Sequence, residues 1–277
     1  DNQKPAFAKT LKGGMMSQDI FVEVSHGPTL IDNNIMLSEA SLRFATQGLA
    51  MVHNLICGSL TCVGEGTGWR YTPYHIPHRT EVMGFMTFLH GDDRFYNNIF
   101  VQKWPSEDVV IPHDSDDGFD TENRKAGTWM FDEYPTYEEW SAQFDFSKPA
   151  DMKQLEPAHF GHLPVWTEGN AYFSGAKACK NEVNGFVSSD EVKVELVEKD
   201  GTYYLDTNVY ELLKDFTGRM IHTDILGQAF EPEQKFENPD GTAIQFDSDY
   251  FGGHRGAQVV PGPFASAEDA KKPLLRK

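Results

Sequence analysis

The sequence predicts an all-β chain in which parallel strands are laid down in successive layers, and three observations carry that reading. The first is a repeat: His26-Gly27 and His90-Gly91 are each followed, at the same distance, by paired asparagines, Asn33-Asn34 and Asn97-Asn98, and then by an apolar stretch. The second is a further copy between them, which sets Asn54 opposite Asn34 at an offset of 20 residues. The third is the local pattern, short alternating or apolar runs bounded by turn residues, which is how strands are written. Asparagines stacked at a corner satisfy one another, because each amide donates to the carbonyl of the next layer.

Taken in chain order, the 20-residue offset sets Ile20, Val22 and Val24 on Ala40, Leu42 and Phe44, and Asp19, Phe21 and Glu23 on Glu39, Ser41 and Arg43. Alternation along a strand turns the first set inward and the second outward. A loop over residues 64–81 leaves the layers and returns, which accounts for the wider step from Asn54 to Asn98. Residues 105–135, rich in Pro, Asp and Gly, read as an excursion, and Thr136 to Phe144 as a short helix. Asn170 marks another corner. Val192 to Leu205 reads as a hairpin about Asp200-Gly201. Val209 to Phe216 is expected to be helical, and Ala243 to Phe246 a strand. Two regions result: 1–110, the repeat, and 111–277, an excursion, further layers and a β-rich end.

Composition narrows the function. The chain has 277 residues and a net charge of −18, so the basic surface of a phosphate-backbone binder is missing and neither nucleic acid nor an anionic membrane is an expected partner. No apolar run nears the roughly 18 residues of a membrane span. Three cysteines leave one unpaired, and the start Asp1-Asn2-Gln3-Lys4-Pro5 lacks an export signal; the expectation is a reducing cytoplasm. Cys57, opposite Leu37 and Val101, reads as a core thiol. No phosphate loop, dinucleotide fingerprint or nucleophile elbow occurs, and no cofactor is expected.

The chemistry lies in the outward set. Strands about 4.8 Å apart would hold the Asp19 and Glu39 carboxyl groups near the about 5–5.5 Å used by retaining glycosidases, where one attacks the anomeric carbon and the other protonates the departing oxygen. The spacing does not say which does which, and both also fit the solvated face of an acidic chain. Glu23 over Arg43 reads as an ion pair on the same face that orients sugar hydroxyls or holds the surface. His26 and His90 suit a sugar or a backbone corner. Trp69, Arg70, Tyr71, Tyr74, His75, His78 and Arg79 supply flat rings and forked donors for a pocket wall or a packed cover. A metal is not expected: His75, His78, His90 and Asp93 match no zinc spacing, and the acids from Asp114 to Glu122 miss the calcium-loop register.

The stretch from Asp19 to Asn34, with residues 50–58, Thr72-Pro73-Tyr74-His75 and residues 91–98, resembles glycoside hydrolase family 120, the β-xylosidases. The resemblance spans roughly residues 15–104. It implies a right-handed parallel β-helix with long loop excursions and a few short helices, and retaining, exo-acting release of xylose from short xylo-oligosaccharides. It assigns the nucleophile to Asp19 and the acid/base to Glu39, with Glu23 as the fallback. His26, Arg43, His75, Arg79 and His90 then line the substrate. Family members extend further at the N-terminus, which implies a C-terminal part, an N-terminal companion chain or a homo-oligomer. A polysaccharide lyase and a non-catalytic carbohydrate-binding solenoid are the competing readings.

Overall fold

The computed structural model describes residues 18–62, 71–104, 125–145, 147–148 and 161–276. Trp69, Arg70 and the acidic run 114–122 lie outside them. The strands are β1 (Gln18–Ser25), β2 (Thr29–Asp32), β3 (Ile35–Met36), β4 (Ala40–Thr46), β5 (Leu49–Val52), β6 (Leu55–Ile56), β7 (Ser59–Cys62), β8 (Tyr71–His75) and β9 (Val82–Thr87). They continue with β10 (Asp93–Tyr96), β11 (Ile99–Val101), β12 (Val165–Glu168), β13 (Ala171–Phe173) and β14 (Phe186–Val187). The last are β15 (Val194–Lys199), β16 (Thr202–Thr207) and β17 (Pro273–Arg276). Among the described residues three short α-helices, α1 (Tyr137–Ser141), α2 (Val209–Leu212) and α3 (Thr223–Leu226), lie between them.

The repeat becomes parallel pairing. Strands β1, β4 and β7 form one sheet, β12, β10, β5 and β2 a second, and β14, β13, β11, β6 and β3 a third, each in that order. Thr29 pairs with Leu49 and Ile35 with Leu55, the offset of 20 residues read from the sequence. What ends β2, β5 and β10 is a residue at positive φ: Asn33 (54°), His53 (59°) and Asn97 (53°). Asparagine tolerates that region better than most residues because its short amide bonds locally. Gly169 takes the same place after β12 at φ 69°.

Beside these corners runs the asparagine ladder. Asn34 Nδ2 donates to Asn54 Oδ1 at 3.3 Å, Asn54 Nδ2 to Asn98 Oδ1 at 3.0 Å, and Asn98 Nδ2 to Asn170 Oδ1 at 3.1 Å. The ladder ends on a carboxylate: Asn170 Nδ2 donates to both Glu182 oxygens at 3.1 Å. Burial pushes the Glu182 carboxyl above its ordinary range, against the donors from Tyr172 and Asn170.

The three parallel sheets share one core, in which Leu42 and Leu60, Ile31, Met51 and Phe95, and Met36, Ile56 and Phe100 meet. The other faces of two sheets are covered by the C-terminal region: Leu55, Ile99 and Ala171 pack on Val209, Leu213 and Phe264, and Ala50, Val52 and Tyr96 on Ile221, Leu226 and Phe236. The remaining outer face, on β1–β4–β7, carries the polar groups discussed below.

The expectation of an all-β, single right-handed parallel β-helix is corrected by this topology. Among the described residues the strands fall into five separate sheets, and β8–β9 and β15–β16–β17 pair antiparallel. After β16 the chain does not add layers; it forms α2, α3, turns and isolated bridges such as Glu237↔Ala243 and His222↔Gln245, where a strand over 243–246 was expected. The architecture is mostly parallel strands in several sheets with short helices. The reason lies in the repeat itself: corner residues at positive φ break each layer into separate sheets, and beyond β14 no asparagine-marked period directs a further layer. Two local readings hold. Thr136 and Glu139 form a reciprocal capping box that starts α1, and Asp200 and Gly201, both at positive φ, close the β15–β16 turn.

Candidate active site

β1 and β4 pair at an offset of 22 residues, not 20: Gln18 faces Ala40, Ile20 faces Leu42 and Phe21 faces Arg43. A shift of two preserves which face each side chain takes and changes who its neighbour is. Asp19 therefore lies opposite Ser41, and Glu23 opposite Ala45 rather than Arg43.

Asp19 nevertheless meets the corner before β4. Its Oδ1 accepts from Ser38 Oγ at 2.6 Å and its Oδ2 from Ser38 N at 3.0 Å, two donors that fix the plane of the carboxylate. Glu39, half-buried, is the next residue, with its Cα about 3.8 Å from that of Ser38. The corner is itself pinned, because the Glu39 carbonyl accepts from Ser59 N at 3.0 Å. Gly58 permits the approach: a Cβ there would stand 2.2 Å from the Ser38 carbonyl oxygen and 2.4 Å from that of Glu39.

Around this corner are groups that sequence reasoning passed over. Ser38 is one. Trp104 is another; its indole donates to the Leu37 carbonyl at 3.0 Å, and the Lys103 ammonium sits 5.4 Å from the centre of its ring. Trp104 carried no sequence signal, since its approach to Leu37 links positions 67 residues apart, and Ser38 meets Asp19 across 19 residues, one short of the expected offset. Cys57 is fully buried, and burial pushes its thiol up to about 12, with smaller opposed effects from Lys103 and Asp19; it is a core thiol. Arg43 is buried on the outer face with its guanidinium 5.8 Å from the centre of the Phe21 ring, while Glu23 is exposed.

A second group gathers at the far end of β1. A cleft of about 350 Å³ opens between residues 24–28, β8 and the segment around Pro232, lined by His26, Tyr74, His75, Arg79 and Gln234 among others. Five residue steps along the strand separate Asp19 from its edge at Val24, roughly 16 Å. His26 is buried with its ring edge-on to Tyr74, 5.9 Å between centres. Tyr74 lies across the hairpin over Gly84, where an added Cβ would come within 3.0 Å of the phenol oxygen. His78 reaches Glu237 at 2.8 Å and ties the hairpin to the C-terminal region. His90 belongs to neither group; it is buried in a corner, edge-on to Phe88 at 5.1 Å. Its neighbour Asp93 is fully buried, accepts from Leu49 N at 3.0 Å, and has its carboxyl pushed well up by burial. The structure thus brings Asp19 and Glu39 to one corner and His26, His75 and Arg79 to one cleft. Arg43 and Glu23 lie on the strands between.

No family model matches the sequence, and no curated protein does. A solved structure of XylC in complex with xylose is similar at a TM-score of 0.77 and 30% identity, over 93% of this chain. The chain spans 38% of that protein's length. Among the described residues no helix is long and apolar enough to cross a membrane.

Proposed function

From that likeness to a xylose-bound structure, we propose that this chain is the part of a retaining, exo-acting glycoside hydrolase that carries both catalytic carboxylates and releases xylose from β-xylosides and short xylo-oligosaccharides. The observation that supports it best is the Asp19 carboxylate, clamped by two donors from Ser38 and aimed beside the corner that carries Glu39. A nucleophile must hold one oxygen on the line to the anomeric carbon, and two hydrogen bonds at fixed distance do that before substrate arrives.

In this reading Asp19 attacks the anomeric carbon while Glu39 gives its proton to the departing glycosidic oxygen. The covalent xylosyl–Asp19 ester is then opened by water, which Glu39 deprotonates, and xylose leaves with its original anomeric configuration. Trp104, beside the same corner, offers a flat apolar face to a sugar ring. Residues 1–110 carry the two catalytic carboxylates, and 111–277 add further layers to the same sheets and a β-rich end.

The test is hydrolysis of an aryl β-xyloside. Asp19→Asn should lower turnover at least about a thousandfold, equivalent to about 4 kcal/mol of barrier, with the fold retained by circular dichroism. Glu39→Ala should lose about a hundredfold or more and regain rate with azide, giving β-xylosyl azide. Unchanged turnover in Asp19→Asn, or α-xylose as the first-formed product by proton NMR, rejects the proposal.

A further inference from the structure

The cleft at the far end of β1 differs in charge from the rest of the molecule. The chain carries 42 acidic residues against 24 basic ones, yet among the described residues that line the cleft none is Asp or Glu, while Arg79, His75 and His26 all are present. Interactions between exposed charges are largely screened beyond about 8 Å at physiological salt, so the lining rather than the net charge sets what a bound group feels. Arg79 is 64% exposed and meets Glu81 only at 3.8 Å, both in solvent, a pair too long and too wet to occupy the guanidinium. Glu231 and Glu233 flank Pro232 outside the cleft, and burial pushes the Glu231 carboxyl up, with a smaller contribution from Asp92. Beside the cationic edge stand the Tyr74 ring and the Gln234 amide. A guanidinium fork, an aromatic face and neutral donors together match a sugar that bears a carboxylate.

We propose that this cleft binds a uronic-acid branch of a xylo-oligosaccharide, with Arg79 and His75 on its carboxylate and Tyr74 against its ring. This rests on the reading of the β1–β4 outer face as the sugar-binding face. An exo-acting site holds only the xylose being released on the non-reducing side of the bond that is cut, so the branch is carried on the leaving-group side, along β1 from Asp19.

Titration calorimetry of the Asp19→Asn variant, in which the saccharide is not consumed, tests the assignment with xylotriose, glucuronosyl-xylotriose, free glucuronate and inorganic phosphate. The acidic oligosaccharide should bind at least about tenfold more tightly than xylotriose, the worth of one charge-assisted contact. Arg79→Gln and His75→Gln, both surface changes, should each shrink that ratio, and added salt should shrink it too. Equal affinity for the two oligosaccharides, a ratio untouched by Arg79→Gln, or phosphate binding as tightly as the acidic oligosaccharide overturns the proposal. The two readings fail separately: an active xylosidase without preference for the acidic sugar rejects this one alone, and preference without Asp19-dependent hydrolysis rejects the activity alone.

Discussion

Truncating the middle of the asparagine ladder should cost far more than truncating its end, and the structure sets the difference. Asn98 is fully buried and uses its whole amide: Oδ1 accepts from Asn54 N at 2.9 Å and Asn54 Nδ2 at 3.0 Å, and Nδ2 donates to Met51 O at 2.9 Å and Asn170 Oδ1 at 3.1 Å. In Asn98→Ala, Asn170 Oδ1 keeps the Asn98 backbone donor at 2.9 Å and Asn54 Nδ2 keeps Ile31 O at 2.8 Å, but the Asn54 N–H loses its acceptor away from water. One stripped buried donor costs about 1–3 kcal/mol and each of the three remaining lost bonds about 1 kcal/mol, so the total is about 5 kcal/mol before any cavity. Asn34, half-buried at the other end, donates to Asp32 O at 2.8 Å and Asn54 Oδ1 at 3.3 Å. Water replaces those bonds in Asn34→Ala, for about 1 kcal/mol. Equilibrium urea unfolding followed by tryptophan fluorescence and circular dichroism reads the difference, which at a slope of about 2 kcal/mol/M separates the midpoints by more than about 1 M. Equal costs for the two variants would mean that the ladder is decoration on corners held by other forces.

Three further outcomes follow from the site and its support. Ser38→Ala removes the 2.6 Å bond to Asp19 and leaves the backbone bond; turnover of an aryl β-xyloside should fall about tenfold to a hundredfold with KM little changed, and a variant as fast as wild type would deny Ser38 any positioning role. Gly58→Ala drives a methyl into the Ser38 and Glu39 carbonyls, costing about 3 kcal/mol in urea unfolding and more activity than stability, since the displaced corner carries Glu39; a neutral result on both counts contradicts the close approach. Asp93→Asn bears on pH. Burial raises the folded-state pKa of Asp93 above the ordinary 3.8, so the native state holds that proton more tightly than the unfolded chain. Its contribution is complete below pH 3.8 and is lost as pH rises through the raised value. Asn keeps the acceptor for Leu49 N and does not titrate, so its stability relative to wild type should improve as pH rises above 3.8 and level off once pH passes the raised value; parallel unfolding profiles would sink the assignment of a strained carboxylate.

How much of this was legible in advance differs from residue to residue. The asparagines at 34, 54, 98 and 170 were visible because a corner that must satisfy its own backbone repeats its solution in every layer. The hairpin about Asp200-Gly201 and the start of α1 at Thr136 were visible for the same kind of reason: turn and cap chemistry is decided within a few residues. The inward face of Ile20, Val22 and Leu42 was right as well, because strand parity survives an even slip, whereas Val24, past the irregularity after Glu23, packs with Phe21, Ala45 and Phe88 instead. The partner across the strands was not. The β1–β4 connection holds two residues more than the β2–β5 one, and a sequence offset measured at one corner does not bind another.

The sequence by itself determined where the chain bends, which strands have an inward side, and that the outward side of β1 carries a carboxylate; those properties are local, written in φ preferences and in alternation. Only the tertiary structure decided what surrounds that carboxylate. Ser38 clamps Asp19 rather than Glu39 facing it, Trp104 arrives from 67 residues away, and His26, Tyr74, His75 and Arg79 join into a cleft of their own. Register, loop return and the break into separate sheets are settled by how whole layers pack, a free energy summed over many weak contacts at once, and no short window of residues holds that sum.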